Sequence, residues 1–377
     1  MRRFCQGLIL VLASGFALLG CAPRHVRTNF ASDMPAWLPV RGFRDAPLLE
    51  ARIDGIGLVT VVLDTGSSAC VVSPELAEQL AGRVRSTHRT VINAEGHRLE
   101  GLGEVSIGRL ELGVARFEEV DALVADLSAL TRAYGEPVAA IVGYPLFRDL
   151  PLTIDFASRR VSIEQARGGQ RVRVVDEQLP IVEAEVGGHA IEVLIDSGSS
   201  SGWAVPVERI AFEPGTRASK RVLMLGGSST VEDGRLDGTA RIGAMEFDRP
   251  VIESTRGLAR VGVRGLEGMR VTFDQAEGVV WLERVRDRPA QATRGIGAEF
   301  REAGSMWELW SVEPGLPAHR VGLRDGERVL SIDGFRIGQI GMSEVRERIE
   351  GAARLRLEVL RAGGVATVWV PIVSVER

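Results

Sequence analysis

Lysine is almost missing from this chain. Lys220 is the only one, so nearly all of the 46 basic residues are arginine, which stays protonated and serves neither as Schiff-base nucleophile nor as titrating base. An excess of charge of one sign is also missing. The 46 basic residues face 50 acidic ones for a net charge of −4, leaving no surplus to neutralise the phosphates of a nucleic acid. Histidine is scarce: His25, His88, His97, His189 and His319 stand apart without metal-ligand spacing, and neither metal nor cofactor is expected. Past the N-terminus no apolar run reaches the roughly twenty residues that cross a bilayer. What is present is ordinary for a globular protein: 377 residues, 45% hydrophobic, enough for two to three domains with sizeable cores.

Cysteine occurs three times, at Cys5, Cys21 and Cys70. Met1-Arg2-Arg3 and an apolar stretch from Leu8 to Leu19 form an export signal, too short to remain as a membrane span. The ending Leu18-Leu19-Gly20-Cys21 resembles the lipobox of bacterial lipoproteins. That resemblance implies a signal peptide over 1–20, cleavage before Cys21, a lipid on Cys21 and anchoring on the periplasmic side of a bacterial membrane. Residues 21–46 are then a linker. Cys70, then the only thiol left and unable to form an internal disulfide, is expected to be a small buried hydrophobe.

The chain repeats itself at an offset of about 132 residues. Pro47-Leu48-Leu49-Glu50-Ala51 matches Pro180-Ile181-Val182-Glu183-Ala184, and Val61-Val62-Leu63-Asp64-Thr65-Gly66-Ser67-Ser68 matches Val193-Leu194-Ile195-Asp196-Ser197-Gly198-Ser199-Ser200. Downstream, Val142-Gly143 and Leu152-Thr153-Ile154-Asp155 match Val261-Gly262 and Val271-Thr272-Phe273-Asp274, and the copies close at Glu164 and Glu283. Each copy reads as mostly β, with short Val/Ile/Leu runs broken by turns such as Asp54-Gly55 and Gly187-Gly188. One helix per copy is expected, in the first from Pro74 to Leu80. The first lobe spans 47–165 and the second 180–286.

The chemistry belongs where an apolar strand ends in Asp-Thr/Ser-Gly-Ser. A carboxylate there is costly unless it is hydrogen-bonded or paired, and the duplication supplies one per copy, Asp64 and Asp196. Two carboxyls brought together cannot both ionise; they share a proton, one acting as base on a water and the other as acid toward a carbonyl. Gly66 and Gly198 let backbone N–H groups close on the carboxyls. Thr65 and Ser197 are placed to hydrogen-bond across the pseudo-dyad. The Ser67 and Ser199 hydroxyls are expected to donate to the outer carboxylate oxygens and lower the acid-limb pKa.

On these residues the segment 47–286 resembles the bacterial retropepsin-like aspartic proteases. The resemblance implies two homologous β-barrel lobes and hydrolysis of peptide bonds by a water activated between Asp64 and Asp196. In that family an apolar-apolar-Gly segment packs under each catalytic turn. Ile141-Val142-Gly143 fits, whereas Arg260-Val261-Gly262 carries a charge where the family has an apolar residue. Neither Tyr134 nor Tyr144 is placed as a flap tyrosine; Val91 to Gly103 and Leu223 to Ser229 are the flap candidates. Gly198-Ser199-Ser200-Ser201-Gly202 also satisfies the nucleophile-elbow pattern of serine hydrolases, but it would have to recruit His319 from another domain, and the matched Gly66-Ser67-Ser68-Ala69-Cys70 breaks the pattern.

After Glu283 a charged, proline-broken stretch reads as a linker. The segment 294–377, opening Gly295-Ile296-Gly297 and running through Val312-Glu313-Pro314-Gly315 to Ile332-Asp333-Gly334, resembles the PDZ domains of bacterial proteases, an α+β fold. A helix is expected from Met342 to Glu350. Such a module takes a peptide C-terminus as an added strand, with Gly295, Ile296 and Gly297 forming the carboxylate loop. The partners expected are peptide or protein substrates, protein C-termini and a membrane. A protein of another class, a protease-like periplasmic adaptor that no longer cuts, is the competing reading, favoured by Arg260; carboxyls about 3 Å apart support the shared proton and a wider gap the adaptor.

Overall fold

The computed structural model describes residues 25–28, 38, 40–43, 46–80, 84–86, 91–92, 98–99, 103–163, 168–206, 208, 211–224, 227–286, 293–304, 306–310, 312, 314–336, 339, 345, 348–349 and 351–375. The signal segment, Cys21 and Glu164 lie outside the described residues.

The strand Gly57–Asp64 pairs antiparallel with Pro47–Ile53 and parallel with Ala140–Gly143. From there the order runs through Cys70–Val72 and Ala115–Val124 to Gly103–Leu112, which pairs back onto Pro47–Ile53 and closes a six-stranded barrel. Closure removes the open edges a small sheet would expose. The second copy repeats this order: Ile181–Val186, His189–Ile195, Arg260–Val261, Trp203–Pro206, Val251–Thr255 and Gly227–Arg235. The long strand Gly103–Leu112 has a broken counterpart there, Gly227–Arg235 followed by Thr239–Ile242, with Gly238 at φ +133° in the break. The chain is mostly β, two homologous barrel lobes followed by an α+β unit.

The helix Pro74–Gln79 begins as its sequence dictates. Proline sits in the first turn, and the Ser73 Oγ accepts the Leu76 N–H at 3.2 Å as N-cap. A second helix, Ser128–Tyr134, was not anticipated. It lacks a side-chain cap at Leu127 and ends on Gly135 at φ 73°.

The closing hairpin of each copy leaves its own barrel. Leu152–Asp155 and Met269–Asp274 pair antiparallel at the centre of a five-stranded sheet shared by both copies, flanked by Arg160–Ser162 on one side and Val279–Arg284 on the other. Gln170–Arg173, in the stretch between the two repeats, adds the fifth strand. At the centre the matched Thr153 and Thr272 stand opposite each other, and their hydroxyls hydrogen-bond at 2.8 Å. One continuous apolar core runs from Leu38 through both barrels and this sheet to Leu282. Cys70 is buried within it, as expected.

The C-terminal unit is a separate five-stranded antiparallel sheet, in the order Glu299–Ala303, Met306–Trp310, Arg328–Ile332, Arg354–Arg361, Gly364–Pro371, with the short helix Pro317–Arg320. Its own core holds Ile296, Phe300, Trp307, Val345 and Leu357. Val345, Arg348 and Ile349 are helical, within the expected helix, whose other residues from 342 to 350 lie outside the described ones.

Candidate active site

Asp64 is the last residue of the central strand of the first barrel, and Asp196 follows directly on the matched strand of the second. Each strand is buried along its last three apolar residues, Val61 to Leu63 and Val193 to Ile195, so each carboxyl is delivered from a rigid element. The two turns then lock across the pseudo-dyad. Thr65 Oγ1 donates to the Ile195 carbonyl at 2.7 Å and accepts the Ser197 N–H at 2.9 Å. In return Ser197 Oγ donates to the Leu63 carbonyl at 2.8 Å and accepts the Thr65 N–H at 3.0 Å. Thr65 and Ser197 are fully buried, and these four bonds satisfy their hydroxyls and N–H groups with no water.

The clasp brings Asp64 and Asp196 together. Each carboxyl lies against the glycine of the other's turn, and two carboxyls held this close do not both ionise but share one proton. Gly66 N–H donates to Asp64 Oδ1 at 2.8 Å and Gly198 N–H to Asp196 Oδ1 at 2.9 Å. Each glycine also packs on the opposite carboxyl: a Cβ at Gly66 would lie 2.6 Å from the Asp196 carboxyl carbon, and one at Gly198 would strike the Asp64 carboxyl. Burial pushes the Asp64 carboxyl well above the usual carboxylate range, and the Asp196 charge pushes it further; the Gly66 and Ser67 N–H groups pull the other way. Burial raises Asp196 too, opposed chiefly by the Arg260 guanidinium. Two like groups thus sit in unlike environments, the arrangement needed for an acid and a base in one site.

Ser67 and Ser199 differ from expectation. The Ser67 hydroxyl donates to the Ala69 carbonyl at 2.7 Å, and Ser199 Oγ is engaged with Ser201 Oγ at 2.8 Å. A hydroxyl has one proton to give, so the single donor of Ser67 is spent within its own turn. What both serines offer the carboxyls is the backbone N–H.

The segment under each turn packs closely on both sides. A Cβ on Gly143 would lie 2.8 Å from the Ser67 carbonyl oxygen, and one on Gly262 2.5 Å from that of Ser199. The Tyr144 and Val263 N–H groups donate to those same carbonyls at 2.9 and 2.8 Å. Arg260 therefore leaves the packing of Gly262 intact. Tyr144 is buried edge-on against Phe273 and is no flap residue. Both flap candidates fall on hairpins: Val91–Ile92 with Arg98–Leu99, and Ala218–Met224 with Gly227–Arg235. Sequence reasoning missed Glu253, an acid buried in the second barrel, and the Thr153–Thr272 pair. For the threonines a signal existed, since they match at the repeat offset inside otherwise apolar strands.

In the C-terminal unit Gly295, Ile296 and Gly297 form the turn between Thr293–Gly295 and the edge strand Glu299–Ala303. Gly297 has φ +72°, and a Cβ there would strike Leu316. The Ile296 side chain is buried in the core, and its carbonyl accepts the Ala318 N–H at 2.8 Å. Among the described residues no group of His, Cys, Asp and Glu is placed to hold a metal ion.

An aspartyl protease family model matches residues 49–146, which contain the Asp64 turn and the Ala140–Gly143 strand beneath it. No curated protein matches the chain. Among solved structures it is similar to the HtrA3 PDZ domain bound to a phage-derived ligand (FGRWV), at 24% identity over 21% of this chain and 85% of that one, with a TM-score of 0.19.

Proposed function

We propose that the protein is an exported, lipid-anchored aspartic endopeptidase with a C-terminal PDZ domain. The observation that carries this reading is the crossed Thr65–Ser197 clasp, which sets the Asp64 and Asp196 carboxyls each against the other's turn. A water bound between the carboxyls gives its proton to the ionised member as its oxygen attacks the peptide carbonyl. The protonated member polarises that carbonyl, so no covalent enzyme intermediate is formed. Thr65, Gly66, Ser67, Ser197, Gly198 and Ser199 hold the two carboxyls in register.

The PDZ domain takes a peptide C-terminus. Backbone N–H groups of Gly295, Ile296 and Gly297 receive the carboxylate, and the peptide adds to the edge strand Glu299–Ala303. Cys21 carries the lipid on the periplasmic side of a bacterial membrane. Its leash is short, because the strand His25–Thr28 already pairs with Ala115–Val124 of the first barrel.

The test is digestion of a mixed peptide library across pH by the soluble form that begins after Cys21, with Asp64→Asn and Asp196→Asn as controls. Cleavage by the parent and none by either folded variant is the expected result. Silence of a folded parent at every pH would favour the second reading, a non-cutting periplasmic adaptor, for which the buried charge of Arg260 beside Asp196 is the supporting observation.

A further inference from the structure

The two halves of the site are unlike in charge. Beneath the Asp64 turn the row of side chains crossing the barrel is apolar: Ile141 stands opposite Val71 and Val71 opposite Leu123, all buried. The same row in the second barrel reads Arg260 opposite Ala204 and Ala204 opposite Glu253, with Glu253 opposite Asp233 on the next strand. Arg260, Glu253 and Asp233 are buried. Ala204, smaller than Val71, leaves space for the long side chains on either side of it. Arg260 Nη1 donates to Thr255 Oγ1 at 3.2 Å, and its Nε lies 3.4 Å from Ser199 Oγ, in the Asp196 turn itself. Arg264 completes the group, donating to the Ser200 carbonyl at 2.7 Å with its guanidinium 4.0 Å from the Glu253 carboxylate.

A buried guanidinium keeps its charge, and a buried cation persists where anionic character answers it. Among the described residues, the charged groups that these pairings and contacts place around the pair and Arg260 are Asp64, Asp196, Glu253, Asp233 and Arg264. Of the two catalytic carboxyls, Asp196 has the cation beside its turn, whereas Asp64 has Ile141 at the matched place.

We propose that Arg260 is a positioning residue that sets the division of labour in the pair: its buried charge holds Asp196 as the carboxylate and thereby makes Asp64 the carboxylic acid. In the reaction Asp196 accepts a proton from water as the water oxygen bonds to the carbonyl carbon. Asp64 gives its proton to the carbonyl oxygen. The product of that step is a neutral gem-diol, and the pair still holds one proton. The electrostatics agree in direction: Arg260 pulls Asp196 down, and the charge of Asp196 pushes Asp64 up. This assignment rests on the peptidase reading, but its core claim is tested without activity.

In full-length Asp64→Asn and Asp196→Asn proteins one carboxyl remains, and its titration is followed by 13C NMR of the aspartyl carboxyl carbon. Asp196 alone should titrate at least about one pH unit below Asp64 alone. Adding Arg260→Met should raise Asp196 and close most of that gap; Arg260→Lys should preserve it. If Arg260→Met does not fold, Arg260→Ile with Glu253→Leu restores the apolar row of the first barrel and should give the same shift. Equal titrations in the two single variants, or a gap that survives removal of Arg260, would overturn the assignment. For the active enzyme, Arg260→Met should move the whole bell of kcat/KM against pH upward, whereas a merely structural defect lowers it in place. A protein that cleaves nothing but shows the titration gap would refute the peptidase reading and leave the role of Arg260 standing.

Discussion

A carboxyl group that is harder to ionise when folded binds its proton on folding, which makes Asp64 a stability sensor as well as the proposed acid of the pair. Its folded pKa lies above the unfolded value of about 3.9, so between the two the folded state holds the extra proton and stability falls as pH rises. Asparagine at this position carries no proton and no charge. Asp64→Asn should therefore lose cleavage and yet gain stability at neutral pH, with the advantage shrinking toward pH 3; urea unfolding at a series of pH values reads it directly. Parallel stability profiles for the two proteins would count against a raised Asp64. Ser67→Ala should leave the acid limb of activity unmoved, because the hydroxyl bonds the Ala69 carbonyl, and should cost about 1 kcal/mol of stability. At this scale the sequence named the two aspartates, the glycines and the crossing Thr65 and Ser197, because each is the residue type its place requires. It misassigned the serine hydroxyls, because a side chain that can reach either a carboxylate or a near carbonyl leaves no mark of the choice in its spacing.

Among the elements, the strands were legible from alternation and the barrels from repetition, but the exchange of the closing hairpins was not. Leu152–Asp155 and Met269–Asp274 read as strands, and nothing in a period-two pattern says with which sheet a strand pairs. Only the Thr153 and Thr272 pair hints at it, two hydroxyls that satisfy each other where either alone would be stranded in an apolar sheet. Thr153→Val should cost about 1–3 kcal/mol by leaving the Thr272 hydroxyl unsatisfied, while adding Thr272→Val should recover most of that loss. Additive costs in that double-mutant cycle would mean that the two hydroxyls act independently. The helix Ser128–Tyr134 escaped notice because Leu127, at its N-cap place, has no capping side chain; the Ser128 N–H is instead taken by Asp126 Oδ1 at 2.8 Å, one place earlier, and Gly135 marks the end.

Over the whole molecule the placement of apolar side chains decides what unfolds with what. One continuous core runs through both barrels by way of the shared sheet, where Ile154, Val271 and Phe273 are buried, so the lobes have no separate interiors to melt. The C-terminal unit keeps its own core around Trp307 and Leu357. Calorimetry should accordingly resolve two transitions, one for both barrels together and one for the C-terminal sheet. Trp307→Ala, which empties a fully buried site, should destabilise the second by about 3–5 kcal/mol and leave the first in place. Gly198→Ala should do the reverse, because its new Cβ presses on the Asp64 carboxyl and strains the junction of the two barrels. Three transitions, with the barrels melting apart, would mean that the clasp and shared sheet couple the aspartates geometrically without joining the lobes into one cooperative unit. The carboxyl pair would then come apart at the melting temperature of the weaker barrel, well before the other unfolds.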